Sequence, residues 1–360
     1  MENISANPKV TVIVANYNTA QFLESCLDSL CSQTYKDFEV LVIDDGSTDN
    51  SVDIINRYIQ HDRRFRLIKL SRNHGVTYAR HVALPQCKGE YIAILDSDDI
   101  ALPRRLEKQV LFLDANPEVV LLGSYYEIIN TKGDIRSGRR SVPITDVEIR
   151  WRVTFGNCLI HSSIMYRKEA AINCGGYDRA VLVAEDADFY SRIIRIGKAA
   201  AIPEVLIQWR SHEKSMTKYT EQVEIDKYSL IILQKAVCSL TSQWVGTEVA
   251  EAVFYNTKNP AKNSAFFKEG MGMLIQVFNL FHASQTSGSS LSRKRLSGCL
   301  LKHLLKIHKR NRKESWWKEG QEAWLQTVRT LIFQYNYRWY ADWYQFRYKL
   351  KLLPYLWRLM

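Results

Sequence analysis

The sequence predicts an α/β fold: a mostly parallel sheet flanked by helices, followed by a helical C-terminal region. Three observations carry that expectation. Short β-branched runs alternate with amphipathic stretches up to about residue 116. Each run ends in a polar or acidic cluster, and after about Tyr219 apolar residues recur at helical spacing. Alternation of this kind yields parallel strands with helices on both faces of the sheet.

The run Lys9–Ala15 reads as the first strand, and Ala20–Gln33, with Phe22, Cys26, Leu27 and Leu30 on one face, as the first helix. The unit then repeats: Phe38–Asp44 into Ser51–Gln60, Phe65–Leu70 into Val76–Cys87, and Tyr91–Leu95 into Pro103–Asn116. A looser half follows, with Val119–Tyr126, a turn at Lys132-Gly133-Asp134, Ser162–Tyr166, a helix over Asp186–Ile196 and a strand around Val205–Arg210. His282–Ser292, rich in Ser and Gly, reads as a linker. We therefore expect a catalytic unit over residues 1–220 and a helical, basic, aromatic-rich unit over 221–360.

Charge divides the chain at the same place. Residues 1–220 hold 28 Lys/Arg against 28 Asp/Glu, whereas 221–360 hold 21 against 10, so the whole net charge of +11 lies in the last third. That split assigns the first part to a globular site and the second to something anionic. The seven cysteines show no CxxC pair and no zinc spacing, and are expected to be reduced thiols. No run of about 18 apolar residues offers a membrane span, and the polar start MENISANPKV is no signal peptide. The expected location is cytoplasmic, with peripheral contact to the inner face of the membrane.

In an open parallel sheet, ligands bind beyond the carboxyl ends of the strands. The loops there read Asn16-Tyr17-Asn18, Asp44-Asp45-Gly46-Ser47, Asn73-His74-Gly75 and Asp96-Ser97-Asp98-Asp99. Asp96 and Asp98, one residue apart after an apolar strand, suit a hard cation such as Mg²⁺ or Mn²⁺ shared with a diphosphate. A solvated turn is the plain alternative for such a triplet. One carboxylate of Asp44-Asp45 is a candidate to accept a uracil imide N–H beside Tyr17, although the DDGS sequence is also ordinary turn and capping chemistry and Tyr17 could equally be core packing. Arg80 is either a surface charge or a partner of nucleotide phosphates.

Glu185 and Asp186 open a helix, where acidic residues favour the positive end of the dipole. Should the fold bring them opposite the Asp98 cation, Asp186 becomes the candidate general base and Glu185 its neighbour on the acceptor side. His161, directly before the strand SSIMY, and His212 are each more commonly structural hydrogen-bonding residues; as functional ones, His161 is an acceptor-side candidate and His212 a second metal ligand.

Taken in order, VTVIVANYN, VLVIDDGSTDNS, SRNHGVTYARHVAL, GEYIAILDSDD, HSSIMYRK, GGYD and AEDADFYSRI resemble family 2 glycosyltransferases of the GT-A, Rossmann-like fold, of the bacterial cell-surface polysaccharide type. The resemblance covers about residues 8–215. It implies a nucleotide-sugar site containing Tyr17, Asp45, Arg80 and Asp96, a divalent metal (Mn²⁺ or Mg²⁺) held through Asp98, Asp186 as base, and inversion at the anomeric carbon. His81 and Ala83 stand where the family usually has Asn and Gly. Gln208-Trp209-Arg210 only partly echoes the motif of processive synthases, so addition of one or a few sugars is expected.

The partners implied are a nucleotide-sugar donor, most simply a UDP-sugar, and a glycan or lipid-linked acceptor. Residues 291–360, with 16 Lys/Arg against 4 Asp/Glu and six of the nine tryptophans, offer a surface for anionic lipid. A helical subdomain packed on the catalytic unit explains the same residues. No nucleic-acid module is visible. A nucleotidyltransferase would need a Gly-rich loop after the first strand, where Asn16-Tyr17-Asn18-Thr19 stands, and a retired, non-transferring adaptor would not need Asp96, Asp98 and Asp186.

Overall fold

A computed structural model describes residues 7–213, 215, 222–253, 261–284, 290–311, 313–315 and 317–334. Strands β1 (Val10–Asn16), β2 (Phe38–Asp44), β3 (Phe65–Lys69) and β4 (Tyr91–Ile94) alternate with helices α1 (Ala20–Cys31), α2 (Ser51–His61) and α3 (Val76–Ala83). They pair in parallel in the order β3-β2-β1-β4. Every residue of β2 is buried, as a strand covered by helices on both faces requires.

Beyond β4 the sheet becomes mixed. It continues through β8 (Met165–Arg167), β6 (Val119–Ile129), β9 (Lys198–Arg210) and the two-residue β5 (Ile100–Ala101). Here β8 is antiparallel to both β4 and β6, and β6 runs parallel to β9. The intervening helices are α4 (Arg105–Ala115), α5 (Asp146–Thr154), α6 (Lys168–Asn173) and α7 (Glu185–Ile193). Four elements have no counterpart in the sequence reading: the short β5, β7 (Ile135–Arg140), which completes a hairpin with β6, α5 and α6. The local signal for α5 is a capping box, in which the Thr145 hydroxyl and Glu148 carboxylate satisfy each other and the first turn.

The C-terminal helices are α8 (Gln222–Thr241), α9 (Thr247–Val253), α10 (Ser264–Ser284), α11 (Ser290–Asn311) and α12 (Trp317–Gln334). The expected linker over His282–Ser292 is shorter than anticipated, because helix occupies 282–284 and resumes at 290; residues 285–289 lie outside the described residues. Their shared core takes in Phe267, Leu274, Val277, Leu296, Leu300, Leu304, Ile307 and Trp324. It also takes in Val147, Trp151 and Phe155 of the α5 region, so the helices are packed onto the sheet unit.

This answers one alternative for the basic tail. The apolar stripe Leu296, Leu300, Leu304 and Ile307 faces this core rather than a lipid surface, and Lys306 and Lys309 are left exposed. Trp317 and Trp324 are likewise buried. The second stripe begins at Ile332, whose side chain is not described, and from Tyr335 through Trp339, Trp343, Phe346 and Leu350 it lies outside the described residues, as does Trp357. No described helix is long and apolar enough to cross a membrane. All seven cysteines are free thiols.

Candidate active site at the strand ends

The loops after β1, β2 and β4 are cross-linked by their own side chains. Asn16 at the end of β1 donates from Nδ2 to Asp44 Oδ1 at 2.8 Å, and Thr19 donates to Ser97 Oγ at 2.8 Å, tying the first loop to the DSDD turn. Gly46, at φ 73°, carries the chain past the third loop so closely that a Cβ there would stand 2.5 Å from the Arg72 carbonyl carbon. Only glycine fits such an approach in that backbone region. Asp45, one residue earlier, accepts the backbone N–H groups of His74 at 2.9 Å and Gly75 at 2.7 Å. Burial pushes its carboxyl above the usual range despite those donors. Tyr17 stays 43% exposed at this edge, free to meet a ligand.

Within the DSDD turn the three carboxylates have different environments. Asp99 is fully buried, accepting Ser162 Oγ at 2.5 Å and the Arg210 N–H at 2.7 Å. Burial, with Asp98 and Asp96 adding repulsion, raises its carboxyl well above normal. It pins the turn. Asp98 points the other way, with Oδ2 2.8 Å from His212 Nε2. The end of β9 delivers that histidine: Arg210 donates to the Asp98 carbonyl at 2.7 Å, and the Phe22 ring packs 4.7 Å from the imidazole. The expected pairing of Asp98 with His212 is thus present in space, across 114 residues of sequence.

Among the described residues, no three His, Cys, Asp or Glu side chains gather into a protein-only cage. One carboxylate and one imidazole at an open strand end suit instead a cation completed by substrate oxygens and water, the way Mg²⁺ and Mn²⁺ are commonly held. The donor set fits the metal that the sequence implied.

Arg80 departs from expectation. It is 3% exposed and directs its guanidinium not outward to phosphates but between Asp96 Oδ1 at 2.6 Å and Glu185 Oε1 at 2.5 Å. Burial alone would lower its pKa, yet the two carboxylates outweigh burial and raise it. Glu185 is accordingly spent on this ion pair and is itself buried, so it does not offer a free carboxylate to an acceptor. The triad does one structural thing that sequence could not show: it fastens the start of α7, and with it Asp186, to the DSDD turn.

His161 also departs. Its Nδ1 lies 2.8 Å from the Tyr190 hydroxyl and its Nε2 3.0 Å from the Tyr177 hydroxyl. Burial, helped by Arg80, drives its pKa well below the usual value, so it stays neutral with both nitrogens engaged. It braces α7 from below and has no face for an acceptor.

Asp186 keeps partial exposure. One oxygen accepts the Ala187 N–H at 2.7 Å, and the other accepts the side-chain amide of Asn157, a partner that no sequence signal marked. Burial and the Glu185 charge raise its carboxyl to about 7, against the opposing pull of the Ala187 N–H and Arg80. The residue before the ion-paired Glu185, Ala184, sits in the left-handed region at φ 59°, a conformation that a non-glycine residue adopts at a cost.

The glycosyl transferase family 2 model matches residues 11–175. The chain is 32% identical over 228 residues to an uncharacterized glycosyltransferase of Methanocaldococcus jannaschii, covering 62% of this chain and 78% of that one. It is 29% identical over 211 residues to the amylovoran biosynthesis glycosyltransferase AmsE of Erwinia amylovora, covering 58% and 78%. Among solved structures, S. aureus TarS 1-349 in complex with UDP-GlcNAc superposes with a TM-score of 0.53 at 17% identity, covering 91% of each chain. Against the longer TarS chain the coverage is 55% of that chain. The mannosyltransferase PcManGT of Pyrobaculum calidifontis, with GDP-Man and Mn²⁺, gives a TM-score of 0.53 at 19% identity over 92% of this chain and 88% of its own. These superpositions concern the fold.

Proposed function

The chain belongs to glycosyl transferase family 2, and from that premise we propose an inverting, metal-assisted transfer from a UDP-sugar to a hydroxyl of a glycan or lipid-linked glycan. It is a glycosyltransferase that uses a nucleotide sugar; the mechanism, metal and acceptor are the proposal. The observation that carries it is the Arg80 bridge, which joins the DSDD turn to the helix bearing Asp186. Two chemistries needed for one displacement thereby share a single edge of the sheet.

Tyr17 and Asp45 are assigned to the base of the nucleotide, Asp96 to the nucleotide sugar, and Asp98 with His212 to the cation. A divalent ion held there supplies charge neutralisation for the departing diphosphate. Asp186, whose carboxyl titrates at about 7, is matched to take the proton of the acceptor hydroxyl near neutral pH. The hydroxyl oxygen bonds to the anomeric carbon as the bond to the diphosphate breaks, and the nucleoside diphosphate leaves with the electron pair. Attack from the face opposite the leaving group inverts the centre. Arg80, Glu185 and His161 hold the scaffold and touch neither substrate.

Thermal melts of the whole protein with UDP-glucose, UDP-galactose or UDP-N-acetylglucosamine, each with and without Mn²⁺, test the donor and metal together. Stabilisation by a UDP-sugar that needs Mn²⁺ is expected, because a ligand binding only the folded state raises stability by mass action. Loss of that Mn²⁺ dependence in Asp98→Ala is expected too; a full metal response in that variant overturns the metal assignment. Asp186→Asn should bind the donor and turn it over about 10²–10⁴ times more slowly, and wild-type turnover in that variant overturns the base.

A further inference from the structure

We infer that Asn157 is a positioning residue for the base, an amide clamp on Asp186 held in place by the C-terminal helices; this rests on the reading of Asp186 as base. The Asn157 amide has one orientation that satisfies both of its neighbours. Its Oδ1 accepts the Leu159 N–H at 3.1 Å, so its Nδ2 is the end that donates to Asp186 Oδ2. With the Ala187 N–H on the other oxygen, the carboxylate is gripped at both ends, and each oxygen keeps a lone pair for an incoming hydroxyl. Both donors favour the charged form of the carboxyl.

The opposing groups are few and can be named. Glu185 on the same helix and Asp96 from the DSDD turn disfavour charge on Asp186, and Arg80 from α3 favours it. Tyr190 on α7 and Cys158 beside the clamp also face Asp186, with Arg152 of α5 beside Cys158. Against two carboxylates, Asn157 is the side-chain hydrogen-bond donor that tips the site toward a usable base.

What fixes Asn157 lies outside the sheet. It follows Phe155 by two residues, and Phe155 with Trp151 is sealed in the core of the C-terminal helices. The His303 ring of α11 packs 4.6 Å from Phe155, and Phe281 of α10 lies 5.8 Å from Trp151. Beside the direct packing of α7 on α8, the helical half thus has a second path to the reacting edge, through α5 and the clamp that follows it.

The test follows UDP release against pH, from about 5.5 to 9, in the full chain with Mn²⁺ and whichever UDP-sugar of the three stabilises it most. Wild type, Asn157→Ala, Asn157→Asp and Asp186→Asn are compared. For Asn157→Ala the acid limb should move up by about one pH unit, with about a fivefold loss at pH 7 that approaches about tenfold on the acid side and is recovered near pH 9. Asn157→Asp keeps the volume but sets a third carboxyl, beside Glu185 and Asp96, against the base, and should move the limb further. A loss of equal size at every pH, or a profile that overlays wild type, overturns the clamp. If the alanine variant does not fold, the Asp isostere decides alone. An active Asp186→Asn enzyme would instead sink the base assignment, whatever Asn157 does.

Discussion

The sheet and the C-terminal helices bury polar groups to different ends. At the sheet's open edge, Asp45, Asp99, Arg80 and Glu185 are buried together within a few residues of exposed or half-exposed partners, at real cost in desolvation. In the helical core two buried polar side chains bind main chain: Asn311 accepts the Ala261 N–H at 2.8 Å and donates to the Ile307 carbonyl, and the Trp324 indole donates to the Leu304 carbonyl at 3.2 Å. The contrast teaches that buried charge is concentrated at the edge where the chemistry is proposed, whereas Asn311 and Trp324 spend their polar atoms on holding one helix to its neighbours. Among the described residues α5 and α7 pack against both, and α5 does so with Trp151 inside the helical core.

That makes α5 the place where the comparison is most easily broken. Trp151→Ala removes a fully buried indole from the shared core and should cost about 3–5 kcal/mol, measured by denaturant unfolding. If the helices support the site through α5, the variant also loses donor turnover under conditions where it remains folded; unchanged turnover would divorce the two halves.

A smaller effect separates function from stability on the sheet side. The folded-state carboxyl of Asp186, at about 7, lies above its unfolded value, so its neutral form is favoured by folding. Its contribution to stability is present below about pH 4, declines as pH rises, and is gone above about pH 7. Asp186→Asn should therefore melt a few degrees above wild type at pH 8, by roughly 2–4 °C, with the gap closing toward pH 4. A variant less stable than wild type at pH 8 would mean that the charge is better compensated than its neighbours suggest. The smallest effect is expected at Ala184, where replacement by Gly relieves the left-handed backbone and should change stability by no more than about 1 kcal/mol, toward greater stability.

Much of this was legible in the residues. The parallel strands β1 to β4 came from β-branched runs punctuated by turns, and β2 begins and ends where its pattern does. Local patterning suffices there because β1, β2 and β4 are almost wholly buried, with only the edge strand β3 partly exposed. Asp98, His212 and Asp186 stand out as candidates in the residues alone, since residue type and position at an element's end carry that signal; the contact of Asp98 with His212 is what the structure adds. The burial and pairing of Arg80, Glu185 and His161 could not be read in the residues, because a charge or an imidazole looks the same in sequence whether it faces solvent or is locked between two partners. Asn157 gave no signal at all: an amide in a loop acquires meaning only from the carboxylate opposite.

Sequence by itself determined the alternation of strand and helix, the polar loops at the strand ends and the identities of the acids available there, because those depend on neighbours within a few residues. The tertiary structure alone decided which acids remain free, which are consumed in pairing, and that the leucine stripe of α11 faces α5 rather than lipid. Burial and ion pairing are properties of distance in space, and Arg80 and Glu185, 105 residues apart in the chain, have no local pattern that records their contact.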